Sequence, residues 1–146
     1  MSRELGIAID RLRDYPARVI ALNTIPQQIA AVEAQLTSIR SATTDGEPVS
    51  GGSNKREDMV IANILRRDRL QAGLEVAKWE VAAVEAALAA LTEEEQRILD
   101  LFYMHRTKDY IARLCDELCL ERSRVYELKS DALRKFALAM CGTVDL

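Results

Sequence analysis

The sequence is short of everything that interrupts helices. Six Gly and three Pro in 146 residues leave too few turn formers for a many-stranded β fold. Three Cys, an odd number, argue against a disulfide framework and suit a reducing cytoplasm. No apolar run approaches the roughly 18–20 residues that a membrane-spanning helix needs, so no membrane partner is expected. The opening MSRELGIAID has charges throughout and no apolar stretch, so no secretory leader is expected either. Basic charge is not in excess: 20 Lys and Arg face 23 Asp and Glu, and the net charge is −3. That excludes a wholly basic nucleic-acid binder and restricts any DNA site to a local patch. A Gly-rich phosphate loop is missing, as is a nucleophile with an identifiable base. No carboxylate pair stands out from ordinary surface charge. The chain therefore reads as non-enzymatic and without a cofactor.

What is present is Ala, Leu, Glu and Arg, a composition that favours an all-α fold. Residues 41–55, SATTDGEPVSGGSNK, have no apolar periodicity and read as a flexible linker. On its N-terminal side, Ile25, Ile29, Val32, Leu36 and Ile39 are spaced four, three, four, three, as on one face of a helix. Pro16 and Pro26 punctuate this half, which predicts helix over about 3–14 and again over about 17–40. Beyond the linker, Leu70, Leu74, Ala77, Val81, Val84, Leu88 and Leu91 repeat the same rhythm. A Pro-free helix over about 56–90 would be about 50 Å long. Two such seams fit an antiparallel hairpin, and they equally fit a coiled coil shared between two chains as a homodimer. Trp79, one position off the seam, is expected to pack on the N-terminal helix or the C-terminal domain. The basic cluster Arg66, Arg67 and Arg69 reads first as a solvated face. The organisation expected is a helical region at 1–40, a linker at 41–55, a long heptad helix at 56–90 and a DNA-binding domain at 91–146.

The last third has the most specific pattern. Thr92-Glu93-Glu94-Glu95 has the form of a capping box, with three acids at the positive end of a helix dipole. The helix it opens should turn Ile98, Leu99 and Phe102 inward, with Tyr103 a further candidate, and end around His105 to Thr107. With Ile111 as the first residue of a twenty-residue helix-turn-helix unit, apolar side chains fall at Leu114, Leu118, Leu120, Val125 and Leu128. Two steeply crossed helices must bury side chains at these places. Cys115 falls where the helices touch most closely. Cys119 falls in the turn, where a positive φ usually selects Gly, and Glu121 stands where Ser or Thr would cap the second helix better. That helix continues through Ala132, Leu133, Phe136 and Met140 to a stop at Gly142.

Residues 91–136 resemble the region-four helix-turn-helix of bacterial sigma factors. Leu91, Arg97, Tyr103, Leu114, Cys115, Leu118, Val125, Ala132, Leu133 and Phe136 occupy the matching places. Thr92 replaces the usual Pro, and the link after Tyr103 is about two residues longer than usual. The whole arrangement is similar to phage and prophage late-transcription regulators of the RinA and ArpU type, whose closing segment is matched by Ser123, Arg124, Val125, Tyr126, Leu128, Lys129, Ala132 and Leu133. The resemblance implies binding to a promoter and activation of phage genes. It leaves contact with RNA polymerase open.

Chemically, a recognition helix starting at Arg122 would present Arg122, Ser123, Tyr126, Glu127 and Ser130, flanked by Arg124 and Lys129. Arg can pair with guanine O6 and N7, Glu can accept from the cytosine amino group, and Ser and Tyr serve base edges or phosphates. Arg106, Lys108 and Arg113 are placed to clamp phosphates, and Arg134 and Lys135 fit either the DNA backbone or plain solvation. His105, Cys115, Cys119 and Cys141 would suffice by number for zinc. Small-residue packing explains the inner cysteines better, and no metal is expected. Two rivals remain at this point: a DNA-packaging recognition subunit of the small terminase kind, and a helical interaction module without DNA binding.

Overall fold

The computed structural model describes residues 2–42 and 52–142. Among them the chain is all-α, with no strand. Five helices follow in order: α1 (Arg3–Ala42), α2 (Gly52–Ala89), α3 (Glu93–Leu99), α4 (Tyr110–Leu118) and α5 (Arg122–Cys141). A π-helical turn, Asp100–Met104, extends α3.

Two expectations change. α1 is one helix: it does not break at Pro16, and it runs on through Pro26. Each proline removes one backbone donor, but Pro26 is exposed and Pro16 is half-buried, so water can reach the carbonyl left over at Pro26. The continuous apolar seam supplies the reason to stay helical. Leu12 lies before Pro16 and packs with Val84 and Ala87. Further along, Ile25 is seated where a Cβ on Gly73 would come within 3.9 Å of its Cδ1. The second change is at the linker. Residues 52–55, read as part of it, belong to the first turn of α2; the stretch 43–51 lies outside the described residues.

The chain groups into two compact units, Met1–Val19 with Trp79–Leu146, and Ile20–Lys78. In the second unit, Val32, Leu36 and Ala77 are buried, and Ile25, Ile29, Ile39, Leu70 and Leu74 are half-buried. The heptad positions are therefore the inward ones. Arg67 is half-buried, its Nε 3.6 Å from Asp68, whereas Arg66 and Arg69 are exposed.

The first unit contains two connected apolar clusters. One joins Ala8 and Leu12 of α1, Val84 and Ala87 of α2, and Leu99 with Ala132, Leu133, Phe136 and Ala137 of α5. The other comprises Ile98, Leu101, Phe102, Leu114 and Val125. Glu80 takes ion pairs from Arg11 and, at 2.7 Å, from Arg18. Trp79 meets the N-terminal helix through Arg11 but stays outside the core. It is 63% exposed, with the Arg11 guanidinium 5.4 Å from its ring centroid.

The joint between α2 and α3 is only Ala90–Thr92. Thr92 Oγ1 accepts from Glu95 N at 3.2 Å, and Glu95 Oε1 accepts from Thr92 N at 3.2 Å, forming the predicted capping box. The Gln96 amide donates to the carbonyls of Leu88 at 2.7 Å and Leu91 at 3.2 Å, taking up acceptors that the end of α2 leaves open.

Candidate nucleic-acid interface

The candidate interface is built around the turn between α4 and α5. Cys119 adopts φ +55°, the only positive φ at a non-Gly residue among those described. Its N–H and that of Leu120 both return to the Cys115 carbonyl, closing α4. Glu121 follows in extended backbone, and its carbonyl accepts from Val125 N at 3.1 Å, so the first turn of α5 is formed. Its side chain makes no capping bond, as its chemistry predicts.

Behind the turn, buried Leu114 and Val125 bring α4 and α5 together over Ile98, Leu101 and Phe102. Cys115, Leu118, Leu120 and Leu128 pack at the edges. The five apolar positions read from the sequence thus all lie in or against one cluster. Leu101 was not foreseen. The π-helical turn admits one extra residue and carries Leu101 inward beside Phe102.

Arg122, Ser123, Arg124, Tyr126, Glu127 and Ser130 are all exposed along one side of α5. Several of these groups are engaged. Arg124 bonds Glu127 at 2.9 Å, and Ser130 Oγ donates to the Tyr126 carbonyl at 3.1 Å. Lys129 is half-buried, its ammonium 5.6 Å from the Phe102 ring centroid. Arg122 lies 6.0 Å from the Tyr126 ring. Among the described residues neither Arg122 nor Lys108 has a carboxylate partner.

Lys108 joins this face across a concavity of about 510 Å³, lined also by Tyr110, Ala112, Cys115, Arg122 and Tyr126. Tyr110 was missed by sequence reasoning. Phe102 meets Tyr110 and Tyr126 edge-on, at centroid distances of 5.1 and 5.7 Å. Arg106 lies 4.3 Å over the Tyr110 ring and donates to its hydroxyl at 2.8 Å. A basic side chain four residues before an aromatic one was the available signal.

Other cations pair with carboxylates of the scaffold. Glu117 receives two bonds of 2.9 Å from Arg97 and one of 3.3 Å from Arg113. The Arg97 hydrogen bonds hold the Glu117 carboxyl down at about 2. Arg113, the predicted phosphate clamp, therefore shares a carboxylate that Arg97 already satisfies. Lys135 reaches Glu95 at 3.0 Å and belongs to the platform, whereas Arg134 stays exposed. Burial raises the Glu95 pKa, but the bonds from Lys135 and Thr92 outweigh it and hold the carboxyl below its usual range. His105 Nδ1 lies 2.5 Å from Asp100 Oδ1. Cys115, Cys119 and Cys141 are free thiols, and no group of three or more metal-ligating side chains converges among the described residues. None of the described helices is long and apolar enough to cross a membrane.

Compared with known protein families, curated proteins and solved structures, the chain matches none.

Proposed function

We propose that the chain is a sequence-specific DNA-binding transcription regulator of phage or prophage genes, with the first turns of α5 entering a major groove. One observation carries this reading. Arg122, Ser123, Arg124, Tyr126, Glu127 and Ser130 form an exposed polar face on a helix whose opposite side is fixed by Leu114, Val125 and Phe102. A reading head needs that combination, because base-edge contacts require side chains presented from a rigid support. The net charge of −3 is compatible with it, since two cations without carboxylate partners, Lys108 and Arg122, line one concavity. The phage assignment is supported by the sequence resemblance alone. RNA polymerase and a second copy of the chain are the further partners proposed.

The test is footprinting on the DNA that flanks the coding region, followed by titration of the protected site. Arg122→Ala should weaken binding to that site by about 1–3 kcal/mol and relax base preference. Arg113→Ala should weaken binding to all sequences alike and reduce the salt slope by about one. Unchanged affinity of the Arg122 variant for the protected site would remove α5 from the interface.

A further inference from the structure

The link between the π-helical turn and α4, residues 105–109, carries Arg106 and Lys108, both exposed. Arg106 lies 4.3 Å over the Tyr110 ring, and its Nη2 donates to the Tyr110 hydroxyl at 2.8 Å. The Tyr110 ring is in turn seated edge-on against buried Phe102, with 5.1 Å between centroids. One guanidinium donor is spent on the hydroxyl, and the others remain for a ligand. Arg97 and Arg113 differ, because both share the Glu117 carboxylate, which offsets their charge. Among the described residues Arg106 has no carboxylate partner. A tyrosine fixes the guanidinium as a carboxylate would, but leaves its positive charge standing.

We propose that Tyr110 is a positioning residue for DNA: it presets Arg106 to grip a backbone phosphate of the duplex whose bases α5 reads. The inference rests on the DNA-binding reading above. Two observations tie the grip to that site. Tyr110 lines the same concavity as Lys108, Arg122 and Tyr126. Phe102 meets both Tyr110 and Tyr126 edge-on, so one buried ring sets the spacing between the grip and the face of α5. Holding Arg106 in place before DNA arrives removes much of the entropy cost of ordering a long side chain on binding. The task of Arg106 also differs from that of Arg122, since a phosphate contact fixes register and carries no sequence information.

Titration of the protected duplex and of a scrambled duplex of equal length, over a series of salt concentrations, tests this. Arg106→Ala should weaken binding to both about 10-fold and lower the salt slope by about one. Tyr110→Phe keeps the ring on Phe102 and removes only the hydroxyl that Arg106 uses. It should weaken binding to both duplexes about 3-fold. Added to Arg106→Ala, the same change should cost nothing further, because Tyr110 acts through that arginine. Circular dichroism should show full helicity in all three variants. A Tyr110→Phe loss that persists without Arg106 overturns the positioning role, and so does a Tyr110→Phe variant that binds like the wild type. An unchanged salt slope in Arg106→Ala removes the phosphate grip. Base preference that still relaxes in Arg122→Ala shows that the DNA-binding reading outlives any of these results, whereas a wild type that binds no duplex overturns both.

Discussion

The two compact units share α1 and α2 but differ in how they use them. Where α3 and α5 pack on the helix pair, Leu12, Val84, Leu99 and Phe136 are enclosed on all sides. In the unit made of the two helices alone, full burial reaches, among the described residues, only Val32, Leu36 and Ala77, while Ile20, Met59, Ile61 and Leu65 remain more than half exposed. Two helices can bury only the stripe that each turns to the other, and closing a core takes a further layer. The first unit therefore has the rigidity to hold side chains in fixed directions. The second keeps apolar surface available for association.

The largest effect should come from emptying the better-closed core. Phe136→Ala should cost about 3–5 kcal/mol in a urea melt, because a fully enclosed site cannot collapse around the cavity. Leu36→Ala should cost about 2 kcal/mol, the lower end for such a truncation, since its half-buried neighbours can settle into the gap. Equal losses would show that the units are equally well packed. Next in size is the turn of the helix pair. Cys119→Gly removes the penalty of a side chain at φ +55° and should stabilise the protein by about 1 kcal/mol, read as a higher thermal midpoint.

The smallest effects are in pH dependence. Glu117 is depressed in the fold, so its contribution is complete above pH 4.5 and fades as the pH falls toward about 2. The stability gap between wild type and Glu117→Gln should close over that window. Tyr15 behaves in the opposite sense. Burial, then its 2.8 Å bond to Glu85, pushes the hydroxyl up to about 12 from 10.0. Its stabilisation is whole below pH 10 and declines toward pH 12. Tyr15→Phe should flatten that alkaline limb in denaturation curves taken at successive pH values.

These differences also show what a sequence can reveal. The capping box at Thr92 and Glu95 was legible because all its parts lie within one turn. The seams were legible because burial follows the helical period, and the turn at Cys119 because apolar spacing on both sides fixed its place. Features made by distant residues were not. The grip of Arg97 on Glu117 spans 20 positions, and the pair of Lys135 with Glu95 exists only once α5 crosses α3. Leu101 escaped because a π-helical turn shifts the phase that periodicity assumes. Pro16 misled because its local cost was weighed without the long seam that outweighs it.

The three-residue joint after α2 has a mechanical consequence. Gln96 holds it on one flank through Leu88 and Leu91, and Thr92 locks it on the other through Glu95, whose second oxygen grips Lys135 of α5. With so little slack, the joint works as a splice and not as a swivel. Torque applied at the last turn of α2 is passed through Glu95 to α5, so the two helices turn together.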